Sequence, residues 1–161
     1  MTKTYDLQSR SARRLRSWYR TGKGNRRAKA LAAIWARVYT WGLLPRRWVT
    51  LEVPGAKSGI PRRFPLGMTQ VDGRWYLASM LGECQWVRNV RAAEGQATIL
   101  RSRRSPVHLR ELPVNERAPI IAAFLDQVPG SRPHILVPRG QPVQAYAEVA
   151  QHHPVFLIEA R

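Results

Sequence analysis

Cysteine occurs once in the 161 residues, at Cys84, so neither an intrachain disulfide framework nor a zinc site built on cysteine can form. A lone thiol fits a reducing compartment, and the cytoplasm is the expected location. Long apolar runs are also missing. The best stretch, residues 28–44, is interrupted by Arg37 and Gly42 and falls short of the roughly 20 apolar residues that cross a bilayer, so no transmembrane helix is predicted. The Arg13-Arg14 pair is followed by further basic residues and not by an apolar stretch with a small-residue cleavage site, which argues against an export signal. Acids are scarce, 10 Asp and Glu against 27 Lys and Arg, for a formal charge of +17. Such a surplus selects negative partners: a polyanion, anionic lipid or an anionic small molecule. Signatures of several chemistries are absent too. His108, His134, His152 and His153 have no spaced carboxylate or cysteine partner for a metal, and no Gly-x-Ser-x-Gly elbow occurs.

What is present is one domain's worth of core. Hydrophobic residues make up 44%, with 6 Trp, a composition that folds. The charge is unevenly spread. Residues 1–47 hold 13 basic side chains and one acid, Asp6, a balance of +12, whereas residues 48–161 hold 14 and 9, a balance of +5. The chain therefore divides into a basic arm with a helix, 1–47, and a body, 48–161.

Residues 10–29 are rich in Arg and Lys, are broken by Gly22 and Gly24, and read as solvated. From Ala28 to Leu44, Leu31, Ile34, Trp35, Val38 and Trp41 recur at helical spacing. Two readings of this amphipathic helix stand. Its Leu, Ile and Trp pack onto the body, or they meet a membrane interface, where Trp rings sit at headgroup level and cations attract anionic lipid, and the two are compatible. On the second reading residues 10–44 form a peripheral contact with the inner face of the cell membrane.

In the body, Trp48–Val53 reads as a strand closed by Pro54-Gly55. Arg62–Gln70 and Arg74–Met80 read as a hairpin turned at Asp72-Gly73. Cys84–Ala93 is a short helix stopped at Gly95. Ala97–Arg101 and Ser105–Leu112 form a second hairpin through Ser102, Arg103 and Arg104. Asn115 can cap a helix with the stripe Ile120, Ile121, Phe124, Leu125 and Val128 and with Pro119 in its first turn; residues 131–142 read as an irregular loop, and Pro154–Glu159 as a last strand. Six mostly hairpin-joined strands interrupted by single helices predict an antiparallel α+β barrel and not a doubly wound sheet.

The most unusual stretch is Gly55-Ala56-Lys57-Ser58-Gly59-Ile60-Pro61-Arg62-Arg63. Its glycines let backbone N–H groups approach an anion, Ser58 can donate, and Lys57 and Arg62 supply charge-assisted bonds. It leads into a strand, so it is not a Walker loop. An ordinary solvated basic turn has the same composition. A second constellation, Ser79 to Asn89, leaves a strand and enters a helix, where backbone N–H groups point outward; Trp86 and Asn89 share a helix face, and Trp86 equally suits the core. Cys84 reads as a small apolar filler.

Gly55 to Arg62, Pro65-Leu66, Asp72-Gly73-Arg74, Ala78-Ser79 and Trp86-Val87-Arg88-Asn89-Val90-Arg91-Ala92 together resemble the deazaflavin-dependent nitroreductase family, flavin and deazaflavin oxidoreductases built on a six-stranded split β-barrel. The likeness runs from Trp48 to Arg110, with weaker agreement near Ala118 and in the last strand. It implies that coenzyme F-420, a deazaflavin with an anionic tail, lies across the barrel, its tail at Lys57 and Arg62 and with Ser58, Gly59, Pro61 and Pro65 in the binding turn. It further implies that Ser79 and Met80 face the ring and that Trp86, Val87, Arg88 and Asn89 hold the cofactor from the helix start. The reduced cofactor donates hydride, so no catalytic base is needed.

Relatives that reduce nitroimidazoles or quinones carry tyrosines after the third helix, where this chain has Val128 to His134; His134 is a candidate hydrogen-bond donor to substrate there, a solvated loop histidine being the alternative. The expected activity is hydride transfer from reduced coenzyme F-420 to a hydrophobic acceptor such as a quinone or nitroaromatic. FMN is the alternative cofactor, and a non-enzymatic flavin-, haem- or lipid-binding barrel the alternative protein. A nucleic-acid interface through the basic arm, with Trp18, Tyr19, Trp35 and Trp41 as stacking residues, is the least supported reading, because no nucleic-acid motif accompanies it.

Overall fold

The computed structural model describes residues 26–41 and 45–161. Of the solvated basic stretch expected over residues 10–29, residues 10–25 lie outside them, and residues 26–29 belong to the first helix. In chain order the elements are α1 (Arg26–Thr40), β1 (Trp48–Pro54), β2 (Pro61–Val71), β3 (Arg74–Ala78), α2 (Gln85–Ala92), β4 (Gln96–Arg101), β5 (Arg103–Glu111), α3 (Val114–Gln127), α4 (Ala147–Ala150) and β6 (Val155–Ala160). The strands close in the order β1-β2-β3-β6-β5-β4, every pair antiparallel. The predicted order of helices and strands is the observed one, except that α4 stands before β6 where no helix was expected.

Local sequence accounts for most turns. Asp72 and Gly73 both take positive φ, 50° and 75°, which the tight turn between β2 and β3 requires. The second hairpin is tighter than expected. Arg103 and Arg104 pair with Arg101 and Leu100, leaving Ser102 alone at the bend with φ 58°. The Ser102 N–H donates to the Thr40 carbonyl at 2.7 Å, so the helix end outside the hairpin holds that bend. The α3 start also differs. Pro113, with φ −62° and ψ 154°, sits at the cap position, and Asn115 is already helical. The helix thus begins two residues earlier than an Asn115 cap would start it, and this places Pro119 in the second turn.

Antiparallel alternation builds two cores separated by the barrel wall. Val49, Leu51, Val53, Met68, Leu77, Val107, Leu109 and Phe156 point inward and fill the barrel. Cys84, Trp86, Val87 and Val90 join them from α2, which lies at the end where β3 leaves and β4 enters; Trp86 packs on Phe156 with ring centroids 5.4 Å apart. Outside the wall, the α3 stripe Ile120, Ile121, Phe124, Leu125 and Val128 covers Tyr76, Ala78, Val155 and Leu157. Each such side chain contributes about 1.5–3 kcal/mol of burial. Elsewhere on the wall α1 covers the outer face of β1 at Thr50, and Arg63 and Arg104 cover Glu52, so β1 is almost continuously buried rather than alternating.

Polar groups fasten the outer layer. The Gln127 amide closes a two-bond ring with the Gln70 backbone, accepting its N–H at 3.0 Å and donating to its carbonyl at 2.9 Å. Arg117, 7% exposed, donates to the Leu112 and Ala150 carbonyls and pairs with Glu111 at 2.9 Å, tying β5, α3 and α4 together. Residues 131–142, expected as irregular, continue into a 3-10 turn at Val143–Tyr146 and then α4; Tyr146 is fully buried and its hydroxyl donates to the Pro138 carbonyl.

The first helix packs on the barrel mainly through another face than the one expected. Among its described side chains Ala36 is buried and Ala32, Val38, Tyr39 and Thr40 are partly buried, while Leu31, Ile34, Trp35 and the following Trp41 are exposed. Its barrel side is held by the Thr50 hydroxyl donating to the Ala36 carbonyl at 2.6 Å and by Tyr39 against Trp48 at 5.5 Å. Small residues let the helix backbone approach β1 closely enough for that hydroxyl to reach it, so the large side chains fall on the other face.

Candidate cofactor-binding site

The turn between β1 and β2 is a compact anion-sized bend. Gly55 donates its N–H to the Ile60 carbonyl at 2.9 Å, and its own carbonyl accepts from Ser58 and Gly59 at 3.2 and 2.8 Å. Gly59 takes φ 64°, a conformation that favours glycine. Gly55 has no room for a side chain, because a Cβ there would stand 2.9 Å from the Ser58 Oγ and 3.2 Å from the Ile60 carbonyl oxygen. Lys57 and Arg62 are exposed on this frame, while the Ser58 hydroxyl turns back and accepts the Ile60 N–H at 3.4 Å.

Asn89 links the turn to α2. It is 3% exposed, its Oδ1 accepts the Ala56 N–H at 3.1 Å, and its Nδ2 is buried with no partner among the described residues. A buried amide donor left unsatisfied costs about 1–3 kcal/mol, a cost that an acceptor reaching it would relieve. A cleft of about 450 Å³ opens between the turn and the C-terminal end of α2, lined by Pro54, Gly55, Ala56 and Gly59 on one side and Ala92, Ala93, Glu94 and Gln96 on the other. Lys57, Ser58 and Arg62 lie on the turn but not in the cleft wall.

The structure places the other expected residues as follows. Ser79, 1% exposed, turns its hydroxyl inward, donating to the Gly82 carbonyl at 2.7 Å and meeting the Cys84 Sγ at 3.3 Å. Met80 packs against the outer core. Trp86 and Val87 are interior core residues, Arg88 is exposed on α2, and Pro61 and Pro65 lie on β2. His134 is half-buried in the turns after α3, its N–H donating to the Ser131 carbonyl at 3.0 Å. The Lys57 turn and Asn89 are thus brought together, 33 residues apart in sequence, whereas the Ser79 hydroxyl and Trp86 are occupied by the protein itself.

Sequence reasoning missed His153. It is 8% exposed, and its Nδ1 meets the Ser79 carbonyl at 2.8 Å. Burial holds its pKa below the ordinary histidine value, so the imidazole is neutral with Nδ1–H donating to that carbonyl. With the Ser79 N–H donating to the Pro154 carbonyl at 2.9 Å, it pins the segment after β3 from the far side. Burial likewise raises the Cys84 thiol pKa, which keeps it protonated and unreactive. The only sequence signal was the adjacency of His153 to the last strand, and adjacency names no partner.

A closed six-stranded antiparallel barrel with flanking helices is a split β-barrel. The chain belongs to the F420H(2)-dependent quinone reductase family, whose sequence model matches residues 27–134, and thereby to the F420-dependent oxidoreductases. No protein of curated function matches it. Among solved structures it resembles a domain-swapped dimer at 21% identity, with 81% of this chain and 95% of that one covered and a TM-score of 0.50. It also resembles the F420-H2 dependent reductase FDR-A at 23% identity, covering 72% and 96% with a TM-score of 0.48. A third, Atu2129 of Agrobacterium tumefaciens, a protein of unknown function, is 13% identical over 78% of this chain and 53% of that one, TM-score 0.53. The scores of 0.50 and above show a shared fold.

Proposed function

We propose that the chain transfers hydride from reduced coenzyme F-420 to a hydrophobic acceptor, a quinone or a nitroaromatic. The observation that carries this reading is the bend Gly55–Arg62: Lys57 and Arg62 stand on it without a salt bridge among the described residues, and the buried Asn89 beneath it has a donor to spare. These features suit an anionic tail. Lys57 and Arg62 would neutralise it, Ser58 and the Gly59 backbone would lie against it, and Asn89 Nδ2 would supply the hydrogen bond that the protein leaves unmade. Pro61, Pro65, Met80, Val87 and Arg88 are the remaining residues of the proposed contact, with Ser79 and Trp86 acting through the backbone and packing that shape it. His134 would meet the acceptor. When bound, the cofactor itself supplies the hydride, and the chain's part is binding, orientation and exclusion of water.

Spectroscopic titration of the purified protein with oxidised and reduced coenzyme F-420 tests this. Lys57→Ala and Arg62→Ala should each cost about 1.5–3 kcal/mol of affinity, the range for hydrogen bonds to charged groups. Both side chains are exposed, so thermal stability should not change. Absence of binding by the unsubstituted protein, or variants that bind as it does, would overturn the assignment.

A further inference from the structure

The helix α2 is 8 residues long, and its start has neither an acid in the first turn nor a side-chain cap. A helix needs about 12–15 residues to stand alone in water, so the orientation of this one comes from what it touches. Asn89 and Arg91 are two residues apart and point to opposite sides, about 200° around the axis. Asn89 faces the turn through its bond to the Ala56 N–H. Arg91 faces β5, where its Nε and Nη2 donate to the two Glu111 carboxylate oxygens, each at 2.7 Å. The same guanidinium clasps Glu83, Nη1 to Oε2 at 2.6 Å and Nη2 to Oε1 at 3.0 Å. Glu111 is held in turn by the buried Arg117, itself bonded to the Leu112 and Ala150 carbonyls. Exposed ion pairs ordinarily contribute little, the exceptions being bidentate arginines and networks. Arg91 is both.

We propose that Arg91 is a positioning residue: by holding Glu83 and Glu111 together it fixes the roll of α2, and with it the direction of the buried Asn89 amide, whose Nδ2 has no partner among the described residues. It thereby sets cofactor affinity without touching the cofactor, a consequence that rests on the reading of that amide as a cofactor contact. Roll is the motion that matters, because Asn89 and Arg91 lie on opposite sides of the helix and turn together. Trp86, Val87 and Val90 seat α2 on the barrel end, but apolar contacts are non-directional and define a roll less sharply than forked bonds do. Glu83 supplies the second point. It follows Gly82, which has φ 64° and stands so close to the segment before β6 that a Cβ there would lie 2.8 Å from the His152 carbonyl oxygen. The guanidinium therefore joins a fixed turn before the helix to a fixed strand beside it.

A ligand-free measurement and a titration together test this on the full-length protein. Hydrogen exchange at the Ala56 amide reports whether Asn89 Oδ1 still reaches it, and Arg91→Met should speed that exchange several-fold, towards the rate in Asn89→Leu. In titrations with oxidised coenzyme F-420, Arg91→Met should weaken binding by no more than the roughly ten-fold cost of one lost hydrogen bond. In an Asn89→Leu background the same substitution should change affinity by less than about two-fold, because no amide is left to position. A general loosening of the fold would instead weaken both backgrounds alike. Arg91→Lys should not restore binding, since an ammonium has no fork to hold two carboxylates. Glu83→Gln removes one arm at an exposed position and should give a smaller effect of the same sign, which keeps the test open if Arg91→Met does not fold. Unchanged Ala56 exchange in these variants, or an equal loss of affinity in the two backgrounds, would overturn the positioning role. No binding by the unsubstituted protein, with Ala56 exchange still raised by Arg91→Met, would overturn the cofactor reading and leave the hold on Asn89 standing.

Discussion

Replacing Asn89 with leucine separates the folding role of this side chain from its ligand role, because the two have opposite signs. Leucine keeps the branched shape at Cγ and removes both polar atoms. The Oδ1 bond to the Ala56 N–H is lost, at about 1 kcal/mol, and the exposed turn lets that N–H turn to water. Against this, the unsatisfied Nδ2 disappears, returning about 1–3 kcal/mol. The ligand-free variant should therefore be as stable as the unsubstituted protein, or up to about 2 kcal/mol more so. For a domain of this size that corresponds to a melting temperature unchanged or raised by several degrees. Affinity for coenzyme F-420 should move the other way, falling by about ten-fold or more with the loss of one buried hydrogen bond. Calorimetric melting without ligand and a cofactor titration give the two numbers. A ligand-free Asn89→Leu protein destabilised by more than about 2 kcal/mol would refute the reasoning, since it would mean the amide is satisfied in the free protein.

Gly67 leaves no room for a side chain: a Cβ there would lie 2.7 Å from Val128 Cγ1 and 3.1 Å from the Trp48 ring. Gly67→Ala should cost about 1–3 kcal/mol by overpacking, and Val128→Ala in the same chain should return part of it in a denaturant melt; independent, additive effects would contradict this packing. Glu52 is 8% exposed, and although burial opposes its charge, hydrogen bonds from Arg63 and Arg104 hold its pKa below the ordinary value. Its stabilisation is present above the unfolded carboxylate pKa, about 4.3, and is lost as pH falls through the lower folded value, so Glu52→Gln should flatten the acid limb of stability against pH. His153 has a depressed folded pKa because burial disfavours its charged form. Stability should decline as pH drops below the unfolded histidine value of about 6.5, and His153→Gln should remove that decline in melting temperatures taken across the range.

Local sequence determined a good deal here. Asp72-Gly73 specifies its hairpin because only a pair of left-handed residues closes that turn, and the apolar spacing of α3 already names the residues that cover the barrel. The bend at Gly55–Arg62 was legible as a cationic frame from its glycines and charges alone. Which atoms complete it was not. Asn89 reaches Ala56 only because the barrel closes through β1 and β4 and lays α2 across that end, and His153 finds the Ser79 carbonyl from 74 residues away. The helix Arg26–Thr40 shows the same division. Its periodicity fixed that it would be a helix with an apolar side, but periodicity records the spacing of side chains and not which neighbour each face will meet. The barrel wall took the alanine face, because only small residues let Thr50 reach the Ala36 carbonyl, and the tryptophans were left outward.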